Sequence, residues 1–419
     1  MLAAGPAQAA GRREQAGSGT LKRDTNRARI LRLLRRHGAM PRVELGRRTE
    51  LSAAAVSTIT SDLIAGGVLG ESTGEAPPGN ARGRPPVNLE FNAGHARVAA
   101  ASMRMDVIDA VIADFQGNIL VRELIPCTTR DLSGAEICEA FADAVATVAA
   151  KQPGPPPSAL GLAVQGIVDP GRGEQVWSPI LGVRNTDIVT PLQQELGIPV
   201  VMENDAAATA LAVAAGDESL QQGLAAVLMI GHGVGMGLLS NGGPFPGTQG
   251  FSSEVGHVRR QPAGAQCRCG QRGCIEAYLA DYALYRDARS VANLPITSHQ
   301  QPSEEQMAGL VARAEAGEAG LRRLFDEAGA SLADAVRVTA SILAPHRIAI
   351  AGSGMRGFHL MRPRFEAELR EALNPSYDPL SRIVIHHGGT ELIVAGMVQL
   401  ALKRLDAEIL AALSARTGA

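Results

Sequence analysis

The sequence predicts an α/β protein in two parts: a small helical domain that ends in a β-hairpin, and a larger two-lobed α/β body. Between residues 26 and 91, three short stretches have the apolar spacing of amphipathic helices, and two short strand-like runs follow. After Arg97 three successive strands precede alternating helices and strands, and this arrangement occurs twice. The charge divides at the same place, because residues 1–91 carry 14 Lys and Arg against 8 Asp and Glu, while the remainder has a net charge of −8.

The small domain is predicted to contain three helices and a hairpin. Val43 and Leu45 are the expected apolar positions of its second helix, and Ser52 is the expected N-cap of its third. The expected helices are Asn26–His37, Pro41–Thr49 and Ala53–Ala65, and the expected strands are Val68–Gly70 and Val87–Phe91. We therefore expect a winged helix-turn-helix domain over residues 21–91, preceded by a disordered tail over residues 1–20.

The body is predicted to repeat one pattern of elements in two lobes with a ligand-binding cleft between them. We expect the first lobe over residues 92–204, completed by a C-terminal helix at about 388–413, and the second over residues 205–387. The first set contains strands Val98–Ser102, Val107–Asp114, Ile119–Ile125, Ala159–Val164 and Pro199–Met202, with helix Gly134–Ala150. The second contains helices Asp205–Ala215, Gly329–Leu343 and Arg362–Leu373, with strands Leu224–Ile230, Val234–Leu239 and Arg347–Ala351.

Composition narrows the class of protein. The 419 residues are 45% hydrophobic and 20% charged, as in an ordinary globular protein, and only 3% are aromatic. No apolar run reaches about 18 residues, and the first 20 residues lack the apolar core of a signal peptide. An odd count of five cysteines argues against a secreted disulfide framework. We expect a cytoplasmic protein that does not cross a membrane.

A cluster of thiols and one imidazole predicts a metal site. Cys267, Cys269 and Cys274 fall within eight residues, and His257 lies ten positions before the first of them. Three thiolates and one imidazole complete a tetrahedral zinc shell with no open position, so we expect a structural Zn²⁺ rather than a catalytic one. The alternative is a chance grouping of reactive or incidental thiols.

Carboxylates and an amide form a second set, predicted to bind a sugar. Asn204 and Asp205 follow an apolar strand and open a helix, where ligand-facing residues often lie. The cysteine cluster lies between Glu254 and His257 on one side and Glu276 on the other. We therefore expect these three residues to lie close together in the folded protein. Such groups bind vicinal hydroxyls, and a buried Asp can act as a general base. For Asp205 alone, a helix N-cap is an equally good interpretation.

The winged domain offers candidate DNA contacts of two kinds. The expected exposed face of its third helix carries short side chains that read base edges modestly, namely Ala54, Ser57, Thr58 and Ser61. Arginines are expected to contact phosphates or a minor groove, namely Arg42, Arg47, Arg48, Arg82 and Arg84. Because one such domain reads few bases, we expect a homodimer or homotetramer on double-stranded, pseudo-palindromic operator DNA. A small helical adaptor domain is the alternative.

Together these motifs resemble the ROK family, which groups bacterial repressors with sugar kinases. The motifs are Glu203-Asn204-Asp205-Ala206, Glu254-Val255-Gly256-His257 and Cys267-x-Cys269-Gly270-x-x-Gly273-Cys274-x-Glu276. The N-terminal stretch is similar to the winged domain of the transcriptional-repressor branch, which includes xylose-repressor-like regulators. The resemblance implies an actin-like ATPase (ribonuclease H-like) body, zinc at the His/Cys₃ set, and sugar at Asn204, Asp205, Glu254, His257 and Glu276.

Two departures from the family pattern favour a regulator without kinase activity. Family kinases carry an Asp-x-Gly-Gly-Thr phosphate loop on the first hairpin of the body, where this sequence has Met103-Arg104-Met105-Asp106-Val107. Kinases commonly carry Pro-Asn-Leu near the sugar, where this sequence has Ser178-Pro179-Ile180-Leu181. The resulting hypothesis is a sugar-responsive repressor. A sugar kinase fused to a DNA-binding domain, or a scaffold whose body binds a protein partner, remain as alternatives.

Overall fold

The computed structural model describes residues 25–73, 87–245, 253–292, 301–372 and 380–417. The expected tail over residues 1–20 and the wing arginines Arg82 and Arg84 lie outside these described residues. Within the described ranges, none of the helices combines the length and apolar character that a membrane span requires.

The N-terminal domain has the predicted three helices and hairpin, with one additional strand. Its elements are α1 (residues 25–37), β1 (Met40–Pro41), α2 (Arg42–Thr49), α3 (Ala53–Ala65), β2 (Leu69–Thr73) and β3 (Val87–Phe91). The two-residue β1, too short to give a sequence signal, pairs with β3 and places Met40 opposite Leu89. Pro41 is therefore extended and precedes α2 instead of opening it. Val43, expected as an apolar contact, is 84% exposed.

The first lobe is built on a five-stranded sheet of order β11-β7-β4-β5-β6. Its strands are β4 (Arg97–Arg104), β5 (Val107–Asp114), β6 (Ile119–Pro126), β7 (Leu160–Val164) and β11 (Val200–Asn204). The helices are α4 (Gly134–Lys151), which opens on a capping box at Ser133, and α5 (Val189–Leu196). A small second sheet contains β8 (Ile167–Asp169), β9 (Glu174–Trp177) and β10 (Thr186–Asp187), which the sequence analysis did not predict.

The second lobe has a sheet of order β14-β13-β12-β15-β16. Its strands are β12 (Leu224–Ile230), β13 (Val234–Ser240), β14 (Gly243–Pro244), β15 (Arg347–Ala351) and β16 (Ile383–Ile385). The helices from here to the end of the described chain are α6 (Asp205–Gly216), α7 (Glu276–Leu279), α8 (Asp281–Val291), α9 (Glu304–Glu315), α10 (Ala319–Leu343), α11 (Phe358–Ala372) and α12 (Glu391–Thr417).

The two large sheets share one topology. In each, an antiparallel run of three strands is extended by two strands parallel to its first strand. The predicted repetition of one α/β pattern in two lobes is therefore confirmed. Helix α6 packs on β12, β13 and α12, and its first residues come directly from the carboxyl end of β11.

One apolar core joins the winged domain to the first lobe. Leu34 of α1, Leu63 of α3 and Leu89 of β3 belong to the same buried cluster as Val111 of β5 and Leu402 of α12. The winged domain therefore packs on the body through buried apolar surface, and α12 contributes to that interface.

Candidate metal centre and ligand site

The structure brings the four predicted metal ligands together at the start of α7. One donor atom from each of His257, Cys267, Cys269 and Cys274 lies within 4.8 Å of all the others. Cys267 and Cys274 are buried. The chain turns tightly here, since Gly273 has a φ of +79° and a Cβ at that position would lie 1.7 Å from the Gln261 carbonyl oxygen. Only glycine permits this path of the loop.

The spacing of these donors fits a tetrahedral zinc ion. Zn–S bonds of about 2.3 Å and Zn–N bonds of about 2.0 Å give tetrahedron edges of about 3.8 Å between sulfurs and about 3.5 Å between sulfur and nitrogen. The Sγ atoms of Cys269 and Cys274 are 3.8 Å apart, and Cys267 Sγ lies 3.6 Å from His257 Nδ1. Burial raises the pKa of Cys267 and of Cys274, so their thiolates would need a cation to be stable here.

Glu254 and Glu276 lie against this group on different sides. Glu254 Oε2 is 3.4 Å from Nε2 of His257, the ring nitrogen that does not face the cysteines. A carboxylate in this position fixes the ring orientation of a metal-bound histidine. Glu276 is buried, accepts a hydrogen bond from the Val234 N–H at 3.1 Å, and accepts another from the Tyr282 hydroxyl at 3.2 Å. The His/Cys₃ group therefore lies next to two of the predicted sugar-binding carboxylates, Glu254 and Glu276.

Asn204, rather than Asp205, is the N-cap of α6. Its side-chain oxygen accepts hydrogen bonds from the N–H groups of Ala206 at 2.8 Å and Ala207 at 3.3 Å. Its amide nitrogen donates to the carbonyl oxygen of Gly166. The N-cap interpretation of Asp205 is therefore wrong, because capping is already performed by its neighbour.

Asp205 is held as a buried carboxyl group next to other carboxylates. Burial, with smaller contributions from the nearby charges of Glu254 and Glu276 and against a hydrogen bond from the Ala206 N–H, raises its pKa to about 7. Burial also raises the pKa of Glu203 to about 7. A buried carboxyl that titrates near neutral pH is the kind of group found at ligand sites.

A small cavity adjoins the His/Cys₃ group and Glu276, and two of its lining residues were missed by the sequence analysis. It measures about 30 Å³, room for about two water molecules, and its wall includes Glu276 and His257. Gln165 and Trp177, which carry no motif, also line it, as does Ile180. Trp177 is the single tryptophan of the chain, and this was the one sequence feature that could have drawn attention to it. A sugar would need the lobes to separate before it could enter this space.

The first hairpin of the body closes one side of this cavity. Met103 is fully buried in the core of the first lobe, and Met105 lines the small cavity. Arg104 NH1 lies 3.3 Å from Nε2 of His232, which sits in the turn between β12 and β13 of the second lobe. Beyond this contact a larger cleft of about 1180 Å³ separates the lobes, with Gly352 and Gly389 in its wall.

The glycine-rich hairpin of the second lobe is explained by packing. A Cβ at Gly235 would lie 2.7 Å from the Ala206 Cβ, and a Cβ at Gly237 would lie 2.6 Å from the Ala206 carbonyl oxygen. These glycines let β13 approach the backbone of α6 closely, so they need no phosphate to account for them.

The third helix of the winged domain exposes the predicted face. The four short side chains expected to read bases are exposed in this structure: Ala54, Ser57, Thr58 and Ser61. The described arginines are engaged inside the domain. Arg42 donates to Glu71 Oε1 at 2.8 Å, while Arg47 and Arg48 each pair with Glu44 at 2.6 Å. Such exposed pairs are weak, so phosphate oxygens can replace these carboxylates.

Polar contacts connect α1 of the winged domain to α12. Arg35 donates to Asp406 at 3.2 and 2.6 Å, and its guanidinium lies over the rings of Phe91 and Phe115 at 4.3 and 4.8 Å. Farther along, α12 crosses α6 so closely that a Cβ at Gly396 would lie 1.8 Å from the Ala208 carbonyl oxygen. The helix that begins at Asn204 therefore touches the helix that holds the winged domain.

Comparisons with known proteins agree with this architecture. A DNA-binding transcriptional dual regulator, NagC of Escherichia coli K12, is 24% identical over 361 residues, covering 85% of this chain and 87% of that protein. The xylose repressor of Bacillus subtilis is 25% identical over 284 residues, covering 65% of this chain and 70% of the repressor. A crystal structure of a ROK family transcriptional regulator, a homologue of the E. coli MLC protein, superposes with a TM-score of 0.74 at 22% identity over 94% of this chain and 99% of its own.

A ROK family glucokinase from Streptomyces griseus has the same fold as the body, with a TM-score of 0.61 at 23% identity over 73% of this chain and 99% of the kinase. Two family models match the sequence. The model for winged helix-turn-helix DNA-binding domains matches residues 23–69, and the ROK family model matches residues 102–404. Since the second match spans most of the chain, the protein belongs to the ROK family and carries a winged helix-turn-helix ahead of its actin-like body.

Proposed function

We propose that the protein is a sugar-responsive transcriptional repressor that binds operator DNA through residues 21–91 and a sugar between the lobes of its body. The observation that carries the proposal is the packing of the winged domain on α12, which in turn crosses the helix that starts at Asn204 and Asp205. A ligand that shifts α6 would therefore displace α12 and, with it, the winged domain that packs on α12. A relative named N-acetylglucosamine repressor is similar over 85% of the chain, which is more than the body alone.

We also propose that the His/Cys₃ group holds a structural Zn²⁺. The donor chemistry and the two edge distances above support this assignment. Four protein ligands leave no position for water or substrate, so the ion would hold the loop that carries Glu254 and Glu276 and would take no part in a reaction.

The proposed sugar ligands are Asn204, Asp205, Glu254, His257 and Glu276. Asn204 has already committed its side-chain oxygen to capping, so it offers a sugar only its amide nitrogen. Asp205 and Glu276 are buried acceptors, and Glu276 lines the small cavity, so these two carboxyl groups are the stronger candidates for binding hydroxyls. His257, if it binds metal through Nδ1, has only the Nε2 edge for contact with Glu254 or a sugar.

We propose that this body does not phosphorylate the sugar. Phosphoryl transfer needs close backbone amides and a metal around the γ-phosphate. The turn over Met103–Val107 instead contains a buried methionine, an arginine bonded to His232 and a second methionine in the cavity wall. The alternative, a kinase with an attached DNA-binding domain, is favoured by one feature, the cleft of about 1180 Å³ between the lobes.

One experiment separates these functions. Purified protein is mixed with the promoter region next to its own gene, and displacement is measured over a panel containing xylose, glucose and N-acetylglucosamine, alone and as phosphates. A coupled kinase assay is run on the neutral sugars. Operator binding that one panel member weakens, without ATP turnover, is the expected result. ATP-dependent turnover at ordinary kinase rates would replace the repressor-only proposal with the kinase alternative. The absence of any operator binding would contradict both functions, because each includes a DNA-binding domain.

We further propose a symmetric dimer or tetramer on a pseudo-palindromic operator, since the short side chains of α3 read few bases in one copy. Footprinting would show two matching half-sites about one helical turn, or a multiple of it, apart. A one-sided footprint from a monomer would contradict this arrangement.

A further inference from the structure

The last turn of α1 contacts both lobes of the body. Arg35 donates to Asp406 of α12, the helix that packs on the first-lobe sheet. The next residue, Arg36, places NH2 3.5 Å from Glu218 Oε1, and Nε2 of His37 lies 3.7 Å from the same oxygen. Glu218 is attached to the second lobe. Neighbouring residues of one helix therefore hold the winged domain to different lobes.

Glu218 is fixed to the second lobe through its neighbours in the chain. It opens a short 3₁₀ helix that ends at Leu220, a fully buried residue in the same apolar cluster as Val227 of β12. Oδ2 of the preceding Asp217 lies 3.0 Å from Nε2 of His386, which follows β16. A movement of the second lobe therefore carries Glu218 with it.

Helix α6 connects Glu218 with the proposed sugar site. It begins at Asp205 and ends after 12 residues at Gly216, two residues before Glu218. Near its start α6 crosses α12, where Ala208 lies against Gly396. Glu218 is ten residues beyond this crossing, about 15 Å at a helical rise of about 1.5 Å per residue. A rotation of about 10° at the crossing would therefore move Glu218 by about 2.6 Å, which is enough to break an ion pair.

The ion pair of Arg36 with Glu218 is weak enough to open. The Glu218 side chain is 74% exposed, and that of Arg36 is 22% exposed. Among the described residues, NH2 of Arg36 has no hydrogen-bond partner, so its contact with Glu218 is ionic only. Burial lowers the pKa of His37, so Arg36 carries the positive charge of this contact at neutral pH. The apolar interface with the first lobe is buried, so the ion pair is the contact that yields when the lobes move.

We propose that the Arg36–Glu218 ion pair is a clasp that holds the winged domain to the second lobe in the operator-binding state and opens when a sugar separates the lobes. The proposal rests on the proposed function and names the contact that regulates it. The small cavity has room for only about two water molecules, so a sugar can enter only if the lobes separate. The winged domain then stays with the first lobe, with which it shares a core, and Glu218 leaves with the second.

Operator binding without sugar tests the clasp in the zinc-loaded full chain. Glu218→Gln should weaken operator binding about twofold to fivefold per copy of the chain, the range for a partly exposed ion pair. Loss of a carboxylate by itself has the opposite effect, because it reduces repulsion from DNA phosphates. The matched control is Glu195→Gln, at an exposed glutamate of α5, which should leave operator binding unchanged or slightly tighter.

A double-mutant cycle assigns the effect to the pair. In the Glu218→Gln background, Arg36→Gln should weaken operator binding by a factor about twofold to fivefold smaller than in wild type, because the ion pair is already lost. If the two substitutions act independently, Arg36 contributes to DNA binding without Glu218, and the clasp is overturned.

Sugar binding without DNA gives a second, independent measurement. Trp177 lines the small cavity, so its fluorescence is titrated with glucose, xylose, N-acetylglucosamine and their phosphates. Because a sugar must open the clasp in wild type, Glu218→Gln should bind the responsive sugar about twofold to fivefold more tightly, by the reciprocity of coupled equilibria. Glu195→Gln should bind it as wild type does. Glu218 follows the far end of α6 from Asp205, so direct contact with the sugar does not explain such a gain.

The outcomes separate this proposal from the proposed function. An unchanged sugar affinity in Glu218→Gln would overturn the clasp even if the cycle shows coupling, because sugar would then not open the contact, and the repressor function would stand. Operator binding that is equal or tighter in Glu218→Gln would also overturn it. If no sugar of the panel binds wild type, the sugar-responsive function fails, and the clasp fails with it.

Discussion

Replacement of Asp205 by asparagine is expected to stabilise the protein at neutral and alkaline pH. Burial, with added repulsion from Glu254 and Glu276, raises the pKa of Asp205 from its usual 3.8 to about 7. That shift corresponds to about 4 kcal/mol of unfavourable free energy when the group is ionised in the folded state. Asparagine has nearly the same shape and never carries this charge.

The direction of the pH effect follows from which state holds the proton. In the unfolded chain Asp205 ionises near pH 4, whereas in the folded chain it stays protonated until about pH 7. Between these values the folded state binds more protons, so stability falls as pH rises through this window. The penalty is absent below about pH 4 and complete above about pH 8. Between pH 5 and pH 8 the free energies of unfolding of wild type and Asp205→Asn should diverge by about 3 kcal/mol.

Urea unfolding followed by Trp177 fluorescence at pH 5, 6.5 and 8 measures this divergence. The exposed Asp131→Asn serves as control and should keep a constant difference from wild type at all three values. If Asp205→Asn also differs from wild type by the same amount at pH 5 and pH 8, the carboxyl is not held in the buried environment argued above. The same variant should bind the effector more weakly, because a charged acceptor is lost, so a gain in stability would accompany a loss of response.

Three further predictions concern the metal, the DNA face and the interdomain contact. Cys274→Ser should lose most of the single equivalent of zinc expected in wild type and lower the unfolding midpoint, as measured by metal analysis and thermal denaturation. Ser57→Ala should change relative affinities among operator variants by about 1–3 kcal/mol at the contacted base pair, in competition binding. Asp406→Asn should destabilise the docked winged domain by about 3 kcal/mol, because Arg35 is left nearly buried beside a neutral group, as read by proteolysis of the N-terminal region.

Each of these has a matched control. Cys127→Ser lies outside the ligand group and should retain zinc. Arg47→Ala should weaken binding to all operator variants equally and reduce the salt dependence of that binding, because phosphate contacts do not distinguish one base from another. Glu408→Gln, on the same helix as Asp406, breaks an exposed pair with Arg404 and should cost less than about 0.5 kcal/mol. Zinc retained in Cys274→Ser, an unchanged operator preference in Ser57→Ala, or equal effects of the two α12 variants would each contradict its prediction.

Local signals in the sequence were sufficient for the elements and for the metal group. The periodicities of α3 and α4, with the Ser52 cap of α3, predicted those helices within one residue, because helix periodicity and capping depend on neighbours in the chain. The four metal donors lie within 18 residues, and glycines between them allow the loop to close, so sequence spacing alone was informative. The duplicated order of strands was also visible, since it is a repetition along the chain.

Only the tertiary structure decided which groups share the site. The sequence offered Asp205 as the candidate cap, whereas in the structure Asn204 caps α6 and also contacts Gly166, 38 residues away. Trp177 lies at the end of β9, in the small sheet, and this sheet places it in the cavity wall. The sequence analysis did not predict that sheet because its strands are only two to four residues long.

The pairing of Arg104 with His232 joins residues 128 positions apart on different lobes, and that of Arg35 with Asp406 joins residues 371 apart. Sequence alone predicted most of the protein's longer elements and the His/Cys₃ group, because those depend on local spacing. The junction between the lobes and the attachment of the winged domain depend on how distant surfaces pack, and packing is specified by the whole chain at once.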